Sequence, residues 1–468
     1  MEERNNLVTG DIGKVLLRFV LPYLLSCFMQ TFYGMADLFV VGQFYGSEVT
    51  SAVSIGSQVT HMLTVILVGL AMGTTVRIGR AVGAGDKKTA SRAMGTSIAL
   101  FSVLALVLTV ILLLVTDPVI RVMMTPAEAV ADTRKYLLIC FAGIPFIVAY
   151  NLISSVFRGM GDSRSPMYFV GAACVVNILL DFLLIGGLHM GAAGAALATI
   201  CGQAVSVFLA VLVVRRRDTG FTLSRRDIRI HRGLSADILK VGVPVAMQDG
   251  LIQVAFVVIT VIANSRGLVA AASVGIVEKL ISFFFLVPSA FLSSISAITA
   301  QNMGAGRPER ARKALGYGLL ATAGWGTFCC LYNQLFPETL IGLFTGDTAV
   351  LSAGASYMRA YSFDCFFAAF HFCFSGYFCG EGRSGISFFH NMASILLLRV
   401  PGAYLASVYF PDTLYPMGWA APLGSLLSAL ICIGFYMAER RRVKNSDERI
   451  DNIRGGNLHD RNKYKKQK

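Results

Sequence analysis

The chain has 468 residues, 55% of them hydrophobic and 15% charged, with a formal net charge of +14. Ordinary soluble domains are about 45–50% apolar and about 25% charged, so a set of water-soluble domains is excluded and a surface matched to lipid is indicated. A nucleic-acid-binding chain is excluded as well, because the basic residues are spread over connections between apolar stretches rather than collected on one folded basic unit.

Mainly apolar windows of about 20 residues, the length that spans a bilayer as a helix, recur at 15–41, 52–76, 94–116, 135–157, 167–188, 191–214, 238–263, 269–298, 315–336, 356–378, 386–408 and 417–438. They predict an all-α integral membrane protein with twelve transmembrane helices. Runs such as 102–115 lack the alternation of a transmembrane barrel. The first window is long and has no small-residue cleavage site, so it is expected to remain as the first helix.

In chain order, the first helix carries Pro22 and Asp37, and the second ends at Gly83-Ala84-Gly85. The fourth carries Asn151 and ends at Phe157-Arg158-Gly159-x-Gly161-x-Ser163; the fifth carries Asn177 and Asp181, and the sixth Thr199. A basic connection at 215–237 follows. The seventh helix carries Pro244 and Asp249, and the eighth carries Glu278 and Lys279 and ends at Gly304-Ala305-Gly306. Asp364 and His371 lie in the tenth, which ends at Phe378-Cys379-Gly380-x-Gly382-x-Ser384, and His390 and Arg399 lie in the eleventh. The segment 439–468 is basic with almost no apolar content and is expected to be a disordered tail. The ten cysteines fall in apolar windows without C-x-x-C spacing and read as packing residues.

Of 41 Lys and Arg, 34 fall in the two tails and the even-numbered connections. This bias places both termini in the cytoplasm of a cytoplasmic-membrane protein. The Gly-Ala-Gly turns after the second and eighth helices are 221 positions apart, and the same offset relates the glycine motifs after the fourth and tenth. Two six-helix lobes in parallel orientation are therefore expected, built as a cytoplasmic N-tail 1–14, an N lobe 15–214, a cytoplasmic linker 215–237, a C lobe 238–438 and a cytoplasmic tail 439–468. Two such bundles rocking about a midplane site make a transporter by alternating access. The glycine pairs are read as tight turns needing positive φ, since neither continues into the Gly-Lys-Ser/Thr of a phosphate-binding loop.

Ionisable groups inside spanning helices are costly, at about 2.5–3.5 kcal/mol on insertion scales, and point to function. Asn177 and Asp181 are four apart and share a helix face. With Asp37, Asn151 and Thr199 they form a set that can hold a proton, because burial and a second carboxylate disfavour the charged form, or wrap a small hard cation. The plain alternative is that Asp37 sits at the outer end of its helix and faces water. The pair is not duplicated: the repeat mates of Asp37, Asn177 and Asp181 are Ile259, Leu398 and Gly402. In the C lobe Asp249, Glu278, Asp364 and Arg399 read equally as substrate contacts or as internal salt bridges, Glu278 with Arg399 or Lys279 with Asp249. The histidines do not approach zinc spacing, and no hydrolase triad or nucleotide-binding loop is visible. Energy must then come from an ion gradient, about 2.3 kcal/mol per charge across about 100 mV, or from the substrate's own gradient.

The chain resembles the multidrug and toxic compound extrusion (MATE) family from about residue 10 to 438. The likeness rests on Leu21-Pro22, Asp37-x-x-x-Val41-Gly42, Gly79-x-x-Val82-Gly83-Ala84-Gly85-Asp86, Arg158-Gly159-x-Gly161-Asp162-Ser163, Asn177-x-x-Leu180-Asp181, the run from Gly191 to Thr199, and Gln301-Asn302-x-Gly304-Ala305-Gly306, in this order. It implies a monomeric antiporter without cofactor that expels amphipathic, often cationic drugs and takes up H⁺ or Na⁺. In the branches with an aspartate in the first helix, the coupling site corresponds to Asp37, Asn177, Asp181 and Thr199, with Asn151 nearby, and any sodium ion would sit there. Another branch uses a glutamate and an aspartate of the C lobe, where this chain has Ile252 and Ala368. Met29, Gln30, Tyr33, Met35, Gln58 and Gln253 are candidates for drug contacts in a cleft between lobes. A lipid-linked sugar flippase of the same superfamily is a second transporter reading. It usually needs a basic central cleft, which only Lys279 and Arg399 can supply here. A membrane-embedded enzyme or receptor lacks both a reactive constellation and a sizeable extramembrane domain.

Overall fold

The computed structural model describes residues 7–216, 224 and 227–465, with side chains described up to Arg442. Among them the chain is helical throughout, with no strand. In the first half, α1 is Ile12–Phe44, α2 Ser47–Gly83, α3 Lys87–Leu114, α4 the pair Val130–Ala142 and Ile144–Gly159, α5 Arg164–Asp181 continued by Phe182–Gly187, and α6 Gly191–Arg216. In the second half, α7 is Arg232–Asn264, α8 the pair Leu268–Phe284 and Leu286–Gly304, and α9 Pro308–Leu335. There α10 is the pair Thr348–Tyr361 and Phe363–Gly380, α11 runs Ser384–Ser394, Ile395–Arg399 and Val400–Tyr409, and α12 is Ala420–Lys465.

Among the described residues, ten helices are long and apolar enough to cross a membrane, and α4, bent by 49°, makes an eleventh. The twelfth expected span, α10, is interrupted at Ser362 and carries Asp364 and His371 among its phenylalanines, so it falls short of the same apolar standard. Several expected boundaries move. The seventh helix begins at Arg232 rather than 238, because the last residues of the connection, 232–237, continue as helix. The chain end, expected to be disordered, continues α12 to Lys465: low apolar content removes the drive to pack, but Arg, Lys and Glu are good helix formers. Residues 1–6 of the N-tail, most of the basic linker with Arg217, Arg225 and Arg226, and the last three residues lie outside the described residues.

Local chemistry sets a few of the helix starts. Asp11 caps α1 through the Lys14 N–H at 2.9 Å, and Asp86 caps α3 through the Thr89 N–H at 2.9 Å. The bend in α4 falls at Gly143, just before Pro145, which has no N–H to continue the ladder. The predicted turns have positive φ at Gly85 and Gly306 (73° and 68°) and at Gly161 and Gly382 (88° and 70°), four positions related by the repeat.

The halves are joined at the end that carries the basic turns. Leu16, Phe19 and Val20 of α1 pack on Ala290, Phe291 and Phe374 of the second half. Met72 and Val76 of α2 meet Val241 and Val245 of α7 with Ala300 and Cys379. Where α2 crosses α8, the two backbones touch reciprocally: a Cβ on Gly83 would lie 1.9 Å from the Gln301 carbonyl oxygen, and one on Gly304 would lie 2.1 Å from that of Arg80. Only glycine permits that approach. The repeat also sets two cross-links, with Gln301 Nε2 donating to Gly159 O at 2.9 Å and Arg80 Nη2 donating to Gly380 O at 3.4 Å. The basic end is thus sealed.

Candidate functional site

Asp37 of α1 is 3% exposed and Asp181 of α5 is fully buried. Packing of α1 against α5 and α6 brings them together with Asn177 and Thr199, so that Asp37 lies within interaction distance of the other three. Thr199 Oγ1 donates to Asp37 Oδ2 at 3.0 Å and lies 3.0 Å from Ala195 O. One hydroxyl proton serves one acceptor at a time. With Asp37 ionised it points to the carboxylate, and with Asp37 protonated the acid can donate to Oγ1 while Thr199 turns to the carbonyl. The threonine is therefore a switchable partner for either charge state of its neighbour.

Directly after Asp181 the helix widens into the π-helical turn Phe182–Gly187, a feature that recurs at functional sites. Asp37 Oδ1, both side-chain polar atoms of Asn177 and both carboxylate oxygens of Asp181 are buried without a protein hydrogen bond. Two carboxylates facing each other in a water-poor interior cannot both remain bare anions. The donor set fits a shared proton or a small oxygen-loving cation. Asn151, the fifth candidate, stands apart: its Nδ2 donates to Ile147 O of its own helix at 2.8 Å, and it lines a neighbouring cavity with Gln30, Tyr150 and Arg158.

The expected cleft residues divide. Met29 packs with Tyr150, Phe169 and Val170 inside the N lobe; Gln30 Nε2 donates to Tyr150 OH at 3.2 Å, and Tyr33 OH accepts from Gln203 Nε2 at 3.2 Å. These three make their contacts within the N lobe, because α1 turns that face toward residues of α4, α5 and α6. Met35 and Gln58 are exposed, and Gln253 is half-buried. Tyr150 and Gln203, which sequence reasoning missed, complete this polar seam; the only signal was that they neighbour Asn151 and Thr199 on mainly apolar helices.

In the C lobe, the two salt bridges that the sequence allowed are not the ones that form. Arg399 pairs with Asp364 at 2.8 Å, and neither Glu278 with Arg399 nor Lys279 with Asp249 forms a salt bridge among the described residues. Glu278 instead accepts from Thr260 Oγ1 at 3.2 Å, and the Asp249 carboxylate lies over Gly69 of α2, where a Cβ would approach it to 2.7 Å. The cause is rotational. Arg399 closes a π-helical segment, Ile395–Arg399, which turns its side chain toward α10. His390 sits between Ser375 Oγ (2.9 Å) and Ser428 Oγ (3.2 Å), and His371 lies 3.3 Å from Ser425 Oγ, a buried polar row not foreseen from spacing.

The MatE family model matches this chain twice, at residues 22–183 and at 244–405. The chain is 27% identical over 450 residues to the FAD transporter of Shewanella oneidensis, covering 94% of this chain and 97% of that protein. To the probable multidrug resistance protein YpnP of Bacillus subtilis it is 26% identical over 401 residues, 86% of this chain and 89% of that one. Among solved structures it is similar to a MOP superfamily transporter from Pyrococcus furiosus whose binding pocket of reversed polarity suggests a different function. There the TM-score is 0.87 at 25% identity, over 94% of this chain and 97% of that one.

Proposed function

The chain belongs to the MatE family of transporters, and on that premise we propose that it is a secondary active efflux antiporter exporting amphipathic, often cationic organic compounds in exchange for H⁺ or Na⁺. The observation that carries this reading is the buried meeting of Asp37 and Asp181 with Asn177 and Thr199. An unpaired buried acid pair is a site whose charge must be balanced by the coupling ion. Asp37, Asn177, Asp181 and Thr199 load the ion from the outer side, Asn151 lines a neighbouring cavity outside that set, and the polar seam of Gln30, Tyr33, Tyr150 and Gln203 offers the drug a surface in the same lobe. Loading the ion changes the charge next to α1, whose Pro22 leaves a weak point for bending. Drug and ion then exclude each other.

The lobes 15–214 and 238–438 rock about the sealed basic end, which the Lys and Arg bias assigns to the cytoplasm together with both termini, in a monomer. A flippase needing a basic cleft has less support, since Arg399 is neutralised by Asp364. The test is dye efflux from proteoliposomes with a pH gradient and a Na⁺ gradient imposed separately. Efflux should follow one gradient, and Asp37→Asn should reduce it at least about tenfold, the effect of losing about 1.4 kcal/mol of coupling. Unchanged efflux by Asp37→Asn sinks the assignment. Because one relative is an FAD transporter, flavin competition against the dye decides whether the substrates extend to anionic nucleotides.

A further inference from the structure

Arg158, in the last turn of α4, is 4% exposed, and among the described residues no salt bridge reaches it. Its guanidinium donates from Nη2 to Ser155 Oγ at 2.7 Å and lies over the Tyr23 ring, 5.0 Å from the centroid, while Nε has no partner. A cavity of about 30 Å³ opens beside it, lined by Tyr23, Gln30, Tyr150, Asn151, Ser154 and Arg158. No Asp or Glu lines it. The Ser154 hydroxyl is buried beside the Tyr150 hydroxyl, and Tyr150, which accepts from Gln30, has a proton of its own to donate. The cavity thus gathers one buried cation and two hydroxyl donors with no acceptor of matching charge.

A cation taken out of water needs a counter-charge. The α4 carbonyl dipole and the Tyr23 ring supply part of it, but neither fills the open donor positions. The volume suits one water-sized particle. We propose that this cavity is a binding site for one small monovalent anion, chloride or an ion of its size, held by Arg158, Ser154 and Tyr150. The site shares Asn151 and Gln30 in its lining with the polar residues named above, but neither Asp37 nor Asp181 lines it. The proposal does not depend on which compound is transported.

The test is thermal unfolding of the purified full-length protein, titrated with sodium chloride against sodium gluconate at constant Na⁺ and ionic strength. Chloride and bromide should raise Tm along a saturating curve, gluconate should not, and Arg158→Gln should abolish the difference. Equal Tm in chloride and gluconate for the wild-type protein overturns the site, as does stabilisation by acetate without any by chloride. Should Arg158→Gln fail to fold, the double variant Ser154→Ala, Tyr150→Phe decides. Loss of two hydrogen bonds to a charged ligand should raise the chloride midpoint more than about tenfold, and an unchanged midpoint overturns the assignment.

Discussion

Thr199 shows how much one hydroxyl decides. Its hydroxyl donates to Asp37 Oδ2 at 3.0 Å, and a hydrogen bond to a charged group contributes about 1.5–3 kcal/mol. Thr199→Ala should weaken the apparent affinity for the coupling ion by about tenfold or more, and Thr199→Ser should restore most of it; ion titrations of efflux initial rates check both. Arg399 and Asp364 make the opposite kind of pair, already neutral as a unit. Breaking it with Asp364→Leu leaves a buried cation and should cost about 3–5 kcal/mol, whereas Asp364→Leu with Arg399→Met should recover most of the loss. Thermal unfolding of the purified variants measures the difference. At this scale the types of residue were legible and the partners were not. Asn177 and Asp181 share a face because they are four apart, but nothing in local spacing shows that Arg399 chooses Asp364 over Glu278.

The elements were mostly readable from apolar length, and their irregularities were not. Both the Asp181 and the Arg399 sites adjoin π-helical turns, and an extra residue in a turn rotates every side chain beyond it relative to the preceding face. No composition signal marks such a turn. The glycines were visible as repeats, yet only the crossing of α2 and α8 explains Gly83 and Gly304, since each lies on the other helix's carbonyl. Gly83→Ala must push the two helices apart at the basic end. Hydrogen–deuterium exchange should then rise in the segments around Gly83 and Gly304 and remain unchanged in α3. Exchange equal to wild type at both segments would show that the crossing does not need glycine.

For the whole molecule, the seal is two-fold in design but not in sequence: Arg80 and Gln301 occupy equivalent positions and each reaches the end of a helix in the opposite half. Because their partners are distinct, Arg80→Ala and Gln301→Ala should each loosen the sealed state and together loosen it further. Cys379 is a native reporter, buried 2% exposed in the apolar contact between halves. Its alkylation by a small maleimide should quicken in each variant and most in the pair. The sequence by itself determined the membrane class, the helical windows, the repeat at 221 positions, the turns with positive φ and which acids lie inside helices. These follow from apolar length, backbone sterics and the cost of burying charge, all of which act locally. Only the tertiary structure decided which acids meet, which cation is paired, that Met29, Gln30 and Tyr33 make their contacts within the N lobe, and that one end is closed. Those depend on the rotation of each helix about its axis and on where helices cross, which packing of the whole bundle sets.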